Sequence, residues 1–465
     1  MNRLLISAAH KSSGKTTLSI GLCAAFRQRG LDVRPFKKGP DYIDPMWLGQ
    51  AAGHPCHNLD FYTMSRDEIL QTLQQQAGAS DLALIEANKG LYDGLDIEGS
   101  NSNAALARLT ETPVILVIDV QGMTRGIAPL ILGYQAFDPQ VNIAGVILNQ
   151  IRGSRHEAKL RAVIEHYTHL PVVGAVYHDT RLAITERHLG LIPSNENTEA
   201  TGKIEAIGQL IAQQVDLDRL QTLARQAPAL PASELPTAPA PVRPPDIRLG
   251  IARDEAFGFY YPGDLEALQQ AGAELVPIDT LHDRQLPAID GLFIGGGFPE
   301  SRLTELAANQ PLREAIHSAI EGGLPAYAEC GGLMYLCRQI RWQGETAPMV
   351  GVIPADVVMH SRPQGRGYVR LRETDESPWA TAAPADPQAE FPAHEFHYSA
   401  LENLAQPQRF AYRVLRGTGI DGEHDGLIHK NLLACYAHQR DTARHHWARR
   451  FIDFVRRTRE NGIDV

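Results

Sequence analysis

Short, almost uninterrupted apolar runs alternate with helix-like stretches along the first 215 residues: LLISAA, DVRPFKK, LALIEA, PVILVID, IAGVILNQ and PVVGAV. A strand with one wet face alternates apolar and polar side chains, so runs without alternation call for strands covered on both faces. With a helical stretch after each, the pattern predicts an α/β fold built on a parallel sheet with helical crossovers, most clearly at residues 113–120. From about 216 to 246 the composition shifts to Ala and Pro, as in QAPALPASELPTAPAPVRPP, where missing amide hydrogens and fixed φ angles oppose regular packing. The rhythm then resumes with IRLGIARD, AELVPID, GLFIGGG and LPAYAEC. A chain of 465 residues exceeds what one core organises. The expected division is a domain over 1–215, a linker over 216–246 and a second α/β domain over 247–465.

Several function classes drop out on bulk properties. No apolar run approaches the roughly 20 residues of a membrane helix. The opening LLISAA is too short for a secretory signal and reads as a core strand. The five cysteines, at 23, 56, 330, 337 and 435, form no CxxC pair, which fits reduced thiols in a cytoplasm. A net charge of −10 disfavours nucleic acid and anionic lipid as partners, since both are held by clustered cations. Small-molecule chemistry is the expectation.

The first strand runs into His10-Lys11-Ser12-Ser13-Gly14-Lys15-Thr16-Thr17 and then the helical LSIGLCAAFRQRG. In such a strand-loop-helix the backbone amides and the positive helix end cradle phosphate oxygens, Lys15 neutralises charge and the Thr16 hydroxyl can reach magnesium. Ser12, Ser13, Gly14, Lys15, Thr16 and Thr17 are the expected ATP contacts. The dimeric partitioning-type ATPases carry a second lysine five positions before the loop lysine, where this chain has His10.

Downstream, Lys37-Lys38-Gly39-Pro40-Asp41-Tyr42-Ile43-Asp44-Pro45 joins cations to carboxylates at a strand end, where α/β sheets place ligands. Magnesium prefers one or two carboxylates plus phosphate oxygens and water. Glu86 closes the strand LALIEA and suits a metal-water ligand, because an unpaired buried acid is costly. Lys37, Lys38 and Lys89 are either holders of substrate carboxylates or phosphates, or solvated surface groups.

These segments together, HKSSGKTT, KKGPDYIDP, KGLYDG, IAGVILNQI and ERHLGLIPSNE, resemble the cobyrinic acid a,c-diamide synthase family over most of residues 1–200. The resemblance implies ATP phosphate contacts at Gly14, Lys15 and Thr16. It also implies magnesium around Thr16, Asp41 and Glu86, and a substrate site of Tyr42, Asp44 and Asp93. A branch acting on sirohydrochlorin or sirohaem uses the same chemistry and is the alternative substrate class.

In the second half, LPAYAE runs into Cys330-Gly331-Gly332 and an apolar helix. Small residues beside a nucleophile let the chain turn sharply and expose sulfur at a helix N-terminus, where the dipole favours thiolate. A thiol nucleophile needs a base; His438 is favoured, with His394, His397 and His429 as rivals. Gly296 and Gly297, after the strand GLFI, offer amides for an oxyanion. These elements resemble a class I glutamine amidotransferase domain over about 247–440, which implies Cys330 as nucleophile, His438 as base and an oxyanion hole near Gly296 and Gly297. Ordinary class I domains place a glutamate two residues after the histidine; Arg440 stands there, so the group that orients His438 is open.

The combined expectation is a carbon-nitrogen ligase that uses ATP to make an acyl phosphate, which ammonia from glutamine then displaces. Its partners are small molecules (ATP, glutamine and a tetrapyrrole carboxylate), with a homodimer left open. The competing classes are a nucleotide-switched binding protein with an inactive second domain, and a cysteine peptidase, which would not need an ATP loop.

Overall fold

The computed structural model describes residues 1–184, 186–187, 190–196, 199–235, 243–379 and 390–462. They fall into two compact units, Met1–Thr237 and Ala238–Val465. Among the described residues no helix is long and apolar enough to cross a membrane.

The first unit contains β1 (Arg3–Ala8), α1 (Lys15–Gln28), β2 (Val33–Lys38), α2 (Ile43–Ala52), β3 (His57–Leu59), α3 (Arg66–Ala77) and β4 (Leu82–Glu86). It continues with α4 (Asn103–Leu109), β5 (Val114–Asp119), α5 (Ile127–Phe137), β6 (Ile143–Ile151), α6 (Ser154–Tyr167), β7 (Val172–Tyr177), α7 (Ala200–Gln214) and α8 (Leu217–Arg225). The seven strands form one sheet in the order β3-β2-β4-β1-β5-β6-β7, and every pairing is parallel. All six residues of β1 are buried, as its unbroken apolar run demands, and its neighbours β4 and β5 lock register at Ile6 with Glu86 and Ala8 with Val117. The loops after β1, β2 and β4 therefore leave the same carboxyl-end edge of the sheet, side by side.

The Ala/Pro tract begins later than composition suggested. Residues 217–225 form α8, capped by the Asp216 side chain on the Arg219 amide, with Leu217, Leu220, Leu223 and Ala224 buried. Helical spacing of three leucines outweighs the prolines beyond it. The chain after α8 is tied back to the sheet by buried Arg3, whose guanidinium donates to Pro228 O at 2.9 Å. Residues 236–242 of the tract lie outside the described residues.

The second unit holds a nine-stranded sheet. Its first half runs parallel in the order Ala273–Ile278, Ile247–Ala252, Gly291–Ile294, Ala326–Glu329 and Leu432–Cys435. The second half continues antiparallel through His424–His429, Arg409–Arg416, Gly365–Glu373 and Glu390–His397. The helix Trp447–Glu460 covers one face, its Trp447 ring 5.0 Å from Tyr327 and 5.5 Å from Phe293. Strand Ala326–Glu329 sits mid-sheet between Gly291–Ile294 and Leu432–Cys435, so the turn at its carboxyl end is flanked by glycines on one side and by residues 436–438 on the other.

Candidate functional site

Gly14 caps α1 at φ 84°, a left-handed conformation that glycine reaches without strain. A Cβ there would also fall 2.2 Å from Asn149 Nδ2, which donates to Ser13 O at 2.8 Å. Asn149, buried near the end of β6, thus pins the loop from a strand far along the chain, and nothing local in the loop announces it. Ser12 is left-handed at φ 65° and exposed, while the Ser13 hydroxyl is spent on His10 O at 2.8 Å and leaves only its backbone for a ligand. The helical ladder begins with Leu18 N to Gly14 O, so the amides of Lys15, Thr16 and Thr17 precede it at the positive helix end. Lys15 is buried yet has no hydrogen bond or ion pair among the described residues, and burial draws its ammonium below the usual range against the pull of Glu86.

Opposite the loop, Thr16 Oγ1 donates to Glu86 Oε1 at 2.6 Å and approaches Asp44 Oδ2 at 3.4 Å. Lys37 Nζ bridges the same two carboxylates, 2.6 Å from Asp44 and 3.1 Å from Glu86. Burial works against the Lys37 charge, but Asp44 and Glu86 outweigh it and hold the ammonium above its ordinary value. Glu86 Oε2 is buried with no partner among the described residues. Asp93 lies nearby, its charge felt by Lys15, with Oδ2 accepting from Gly90 N at 2.8 Å. Tyr42 is buried at the N-cap of α2.

Of the two carboxylates in the Asp41–Asp44 segment, expected at the metal and at the substrate respectively, Asp41 accepts through Oδ1 the amides of Ile43 and Asp44 at 2.9 and 3.0 Å. It serves the start of α2, where unpaired amides need an acceptor, and Asp44 is the carboxylate that joins Thr16. Burial, reinforced by Asp44, pushes Asp41 up to about 7.

In the second unit Cys330 sits between strand Ala326–Glu329 and helix Gly331–Leu336 at φ 47°, ψ −102°. A non-glycine residue there costs on the order of 1–3 kcal/mol and persists only where its surroundings impose it. Cys330 N bonds Cys435 O at 2.7 Å, and the two glycines after it have no room for a side chain: a Cβ at Gly332 would lie 2.1 Å from Ile294 O, and one at Gly331 2.9 Å from Gly297 N. The Gly297 amide thus borders the residue after the sulfur. A Cβ at Gly296 would meet His438 Cε1 at 2.6 Å, so both glycines pack beside the Cys330–His438 pair. Gly295 N, by contrast, is bound by Tyr260 OH at 2.9 Å.

His438 comes after strand Leu432–Cys435, and the buried carboxylate of Asp425 holds the intervening amides of Tyr436 and Ala437 at 3.0 and 2.9 Å. Its Nδ1 lies 3.2 Å from Glu329 Oε2, leaving Nε2 for the hydrogen bond to the Cys330 thiol. Burial disfavours the imidazolium, but the bonds to Cys330 and Glu329 prevail and push His438 up to about 10. Glu329 is the residue that sequence reasoning missed. Its Oε1 accepts Tyr327 OH at 2.6 Å and Gln439 N at 2.9 Å, so the carboxylate is fixed on both oxygens. Arg440 instead lies over Tyr261, 5.0 Å from the ring centroid. Of the rival histidines, His394 comes nearest, its ring 6.4 Å from that of His438 and their backbones paired. Burial, then His438, draws His394 down to about 3. His397 stacks on Tyr436 at 3.8 Å and His429 pairs with Glu321 at 2.7 Å. A cysteine, an imidazole and a carboxylate in that order, with glycine amides alongside, can perform acyl transfer through a thioester.

Residues 5–192 match the family described as the CobQ/CobB/MinD/ParA nucleotide binding domain, and residues 248–444 match the CobB/CobQ-like glutamine amidotransferase domain. Similarity also extends along whole chains. A cobyrinate a,c-diamide synthase of Magnetococcus marinus is 45% identical over 96% of this chain and 95% of its own. Proteins of the same name from Methanosarcina acetivorans and Archaeoglobus fulgidus are 40% and 37% identical, over 94% and 97% of this chain and 92% and 96% of theirs.

Proposed function

The chain belongs to the cobyrinate a,c-diamide synthase family, and from that premise we propose that it amidates the a and c acetate carboxylates of cobyrinic acid with ATP and glutamine in cobalamin biosynthesis. The observation that carries the reading is the Glu329–His438–Cys330 array on a strained elbow, in a chain that also holds a phosphate loop. Cys330 sulfur attacks the glutamine carboxamide carbon, the Gly297 amide and its neighbour steady the oxyanion, and His438 passes its proton to the departing ammonia. Water then releases glutamate from the thioester.

In the first unit a substrate carboxylate oxygen attacks the γ-phosphorus of ATP, the bond to the ADP oxygen breaks, and an acyl phosphate results. Ammonia adds to the acyl carbon, inorganic phosphate leaves, and a nitrogen proton is lost. Ser12, Ser13, Gly14, Lys15, Thr16 and Thr17 hold the triphosphate, largely through amides, with Lys15 as the charge. The partnerless Glu86 Oε2 beside the Thr16 hydroxyl fits magnesium, which takes one or two carboxylates and keeps water. Thr16 and Glu86, with Asp44 adjacent, would hold the ion, which would neutralise phosphate charge. Tyr42 and Asp93 border the acid substrate.

The direct test is incubation with ATP, glutamine and cobyrinic acid, with the products read by mass spectrometry. Each amide formed replaces OH by NH2, and two such decrements are expected; an unchanged mass with every tetrapyrrole acid offered would reject the reading. Glu86→Gln removes the charge that Thr16 and Lys37 share. ADP release driven by ammonia is expected to fall about 10²–10³-fold, the usual cost of a lost electrostatic partner in a closed site. Glutamine hydrolysis by the same variant is expected to stay at the wild-type rate.

A further inference from the structure

Lys37 and Lys38 are successive residues at the end of β2, so their side chains leave opposite faces of the sheet. Lys37 is accounted for by Asp44 and Glu86. Lys38 is not. It is 3% exposed, yet its ammonium has neither hydrogen bond nor ion pair among the described residues. The charges that act on it are Asp60, whose Oδ2 accepts from Thr63 Oγ1 at 2.9 Å, and two like charges, Lys89 and Lys37.

The backbone around both Lys38 and Lys89 is tied down. Asn58 Nδ2 donates to Gly39 O at 2.8 Å and Asp41 O at 2.7 Å, which fixes the turn after Lys38. Lys89 is exposed at φ 43° in the loop after β4, which Asn103 Nδ2 holds through Gly90 O at 2.6 Å. A buried ammonium on which two other cations act is unfavourable unless anions offset them, and the opposing charge of Asp60 is outweighed by burial together with those cations. The chain contains an internal comparison: Lys15, also buried and without a partner among the described residues, belongs to a phosphate loop.

We propose that Lys38, with Lys89 at the rim, binds a non-reacting carboxylate of the acid substrate, on the sheet face opposite the Lys37–Glu86 cluster. The inference rests on the reading that this unit takes a polycarboxylic acid, and it adds which residue anchors a carboxylate that is not phosphorylated. Burial outweighs the pull of Asp60 and, with Lys89 and Lys37 as like charges, draws Lys38 down to about 8, so an arriving anion gains from restoring the full charge.

The test is steady-state amidation of cobyrinic acid with ATP and ammonium chloride by the full chain, comparing wild type, Lys38→Met and Lys38→Arg. Methionine keeps the length of the stem and removes the charge. The KM for cobyrinic acid is expected to rise on the order of tenfold or more in Lys38→Met, as for a lost charged hydrogen bond, with kcat changed much less and arginine restoring most of the affinity. Thermal unfolding of each variant, together with direct titration by cobyrinic acid, separates misfolding from lost binding. An unchanged KM for the acid in a folded Lys38→Met overturns the proposal. So does a KM for ATP that rises as much, which would place Lys38 on the nucleotide. If wild type itself neither binds nor amidates cobyrinic acid, the functional reading fails first and takes this one with it.

Discussion

Cys330→Ala is expected to lower glutamine-driven amidation by about 10⁴-fold or more while amidation driven by ammonium chloride continues near the wild-type rate. Loss of a nucleophile removes the covalent route altogether, and what survives is the small contribution of binding and oxyanion amides. Those amides stay, because the elbow is held by backbone: Cys330 N on Cys435 O, and the Gly331 and Gly332 Cα atoms against Gly297 and Ile294. Alanine keeps the Cβ, so the strained φ of 47° is not relieved by the change. The measurement is product formation with each nitrogen source, beside glutamate release. If the variant releases glutamate at the wild-type rate, Cys330 is not the nucleophile. If it loses the ammonia-driven reaction as well, the thiol supports the synthetase chemistry instead of only feeding it.

The range of the interactions decides which of these features were legible in the chain. The parallel sheet of the first unit could be read because strands buried on both faces leave continuous apolar runs such as VILVID, and the phosphate loop because strand, loop and helix are contiguous. The elbow was equally local. The antiparallel half of the second sheet escaped, since strands such as Gly365–Glu373 and Glu390–His397 alternate burial and blend with polar loops. α8 escaped because an average over an Ala/Pro-rich window conceals three leucines at helical spacing. The ion pair of Lys37 with Glu86 and the pinning of the loop by Asn149 are settled between segments distant in sequence, and the isolation of Lys38 depends on the packing around it. No spacing rule records them.

Glu329 was hidden for a different reason, and it yields the second large effect. Two residues past the histidine, where class I domains carry a glutamate, this chain has Arg440. Glu329 precedes the nucleophile on its strand, where adjacent residues ordinarily point to opposite faces. The turn at Cys330 breaks that rule: with φ at 47° the chain reverses, and the Cys330 sulfur and the Glu329 carboxylate reach the same imidazole from its two nitrogens. Glu329→Gln is therefore expected to reduce glutaminase kcat by about 10²–10⁴-fold; the upper figure is that of the same carboxylate-to-amide change in a serine triad, where the imidazole loses its tautomer. Glutamine cannot serve all three contacts. Its NH2 would face either His438 Nδ1 or the Gln439 amide, both of which now donate to oxygen.

The pH profile separates this role from a merely structural one. Glu329 raises the proton affinity of His438, so its removal lowers that affinity, and the acid form needed by the departing ammonia is lost at lower pH. The alkaline limb of the glutaminase profile should move down in Glu329→Gln, while ammonia-driven amidation is unaffected. A folded variant whose kcat stays within about threefold of wild type, or whose alkaline limb does not move, would leave His438 oriented by something other than this carboxylate.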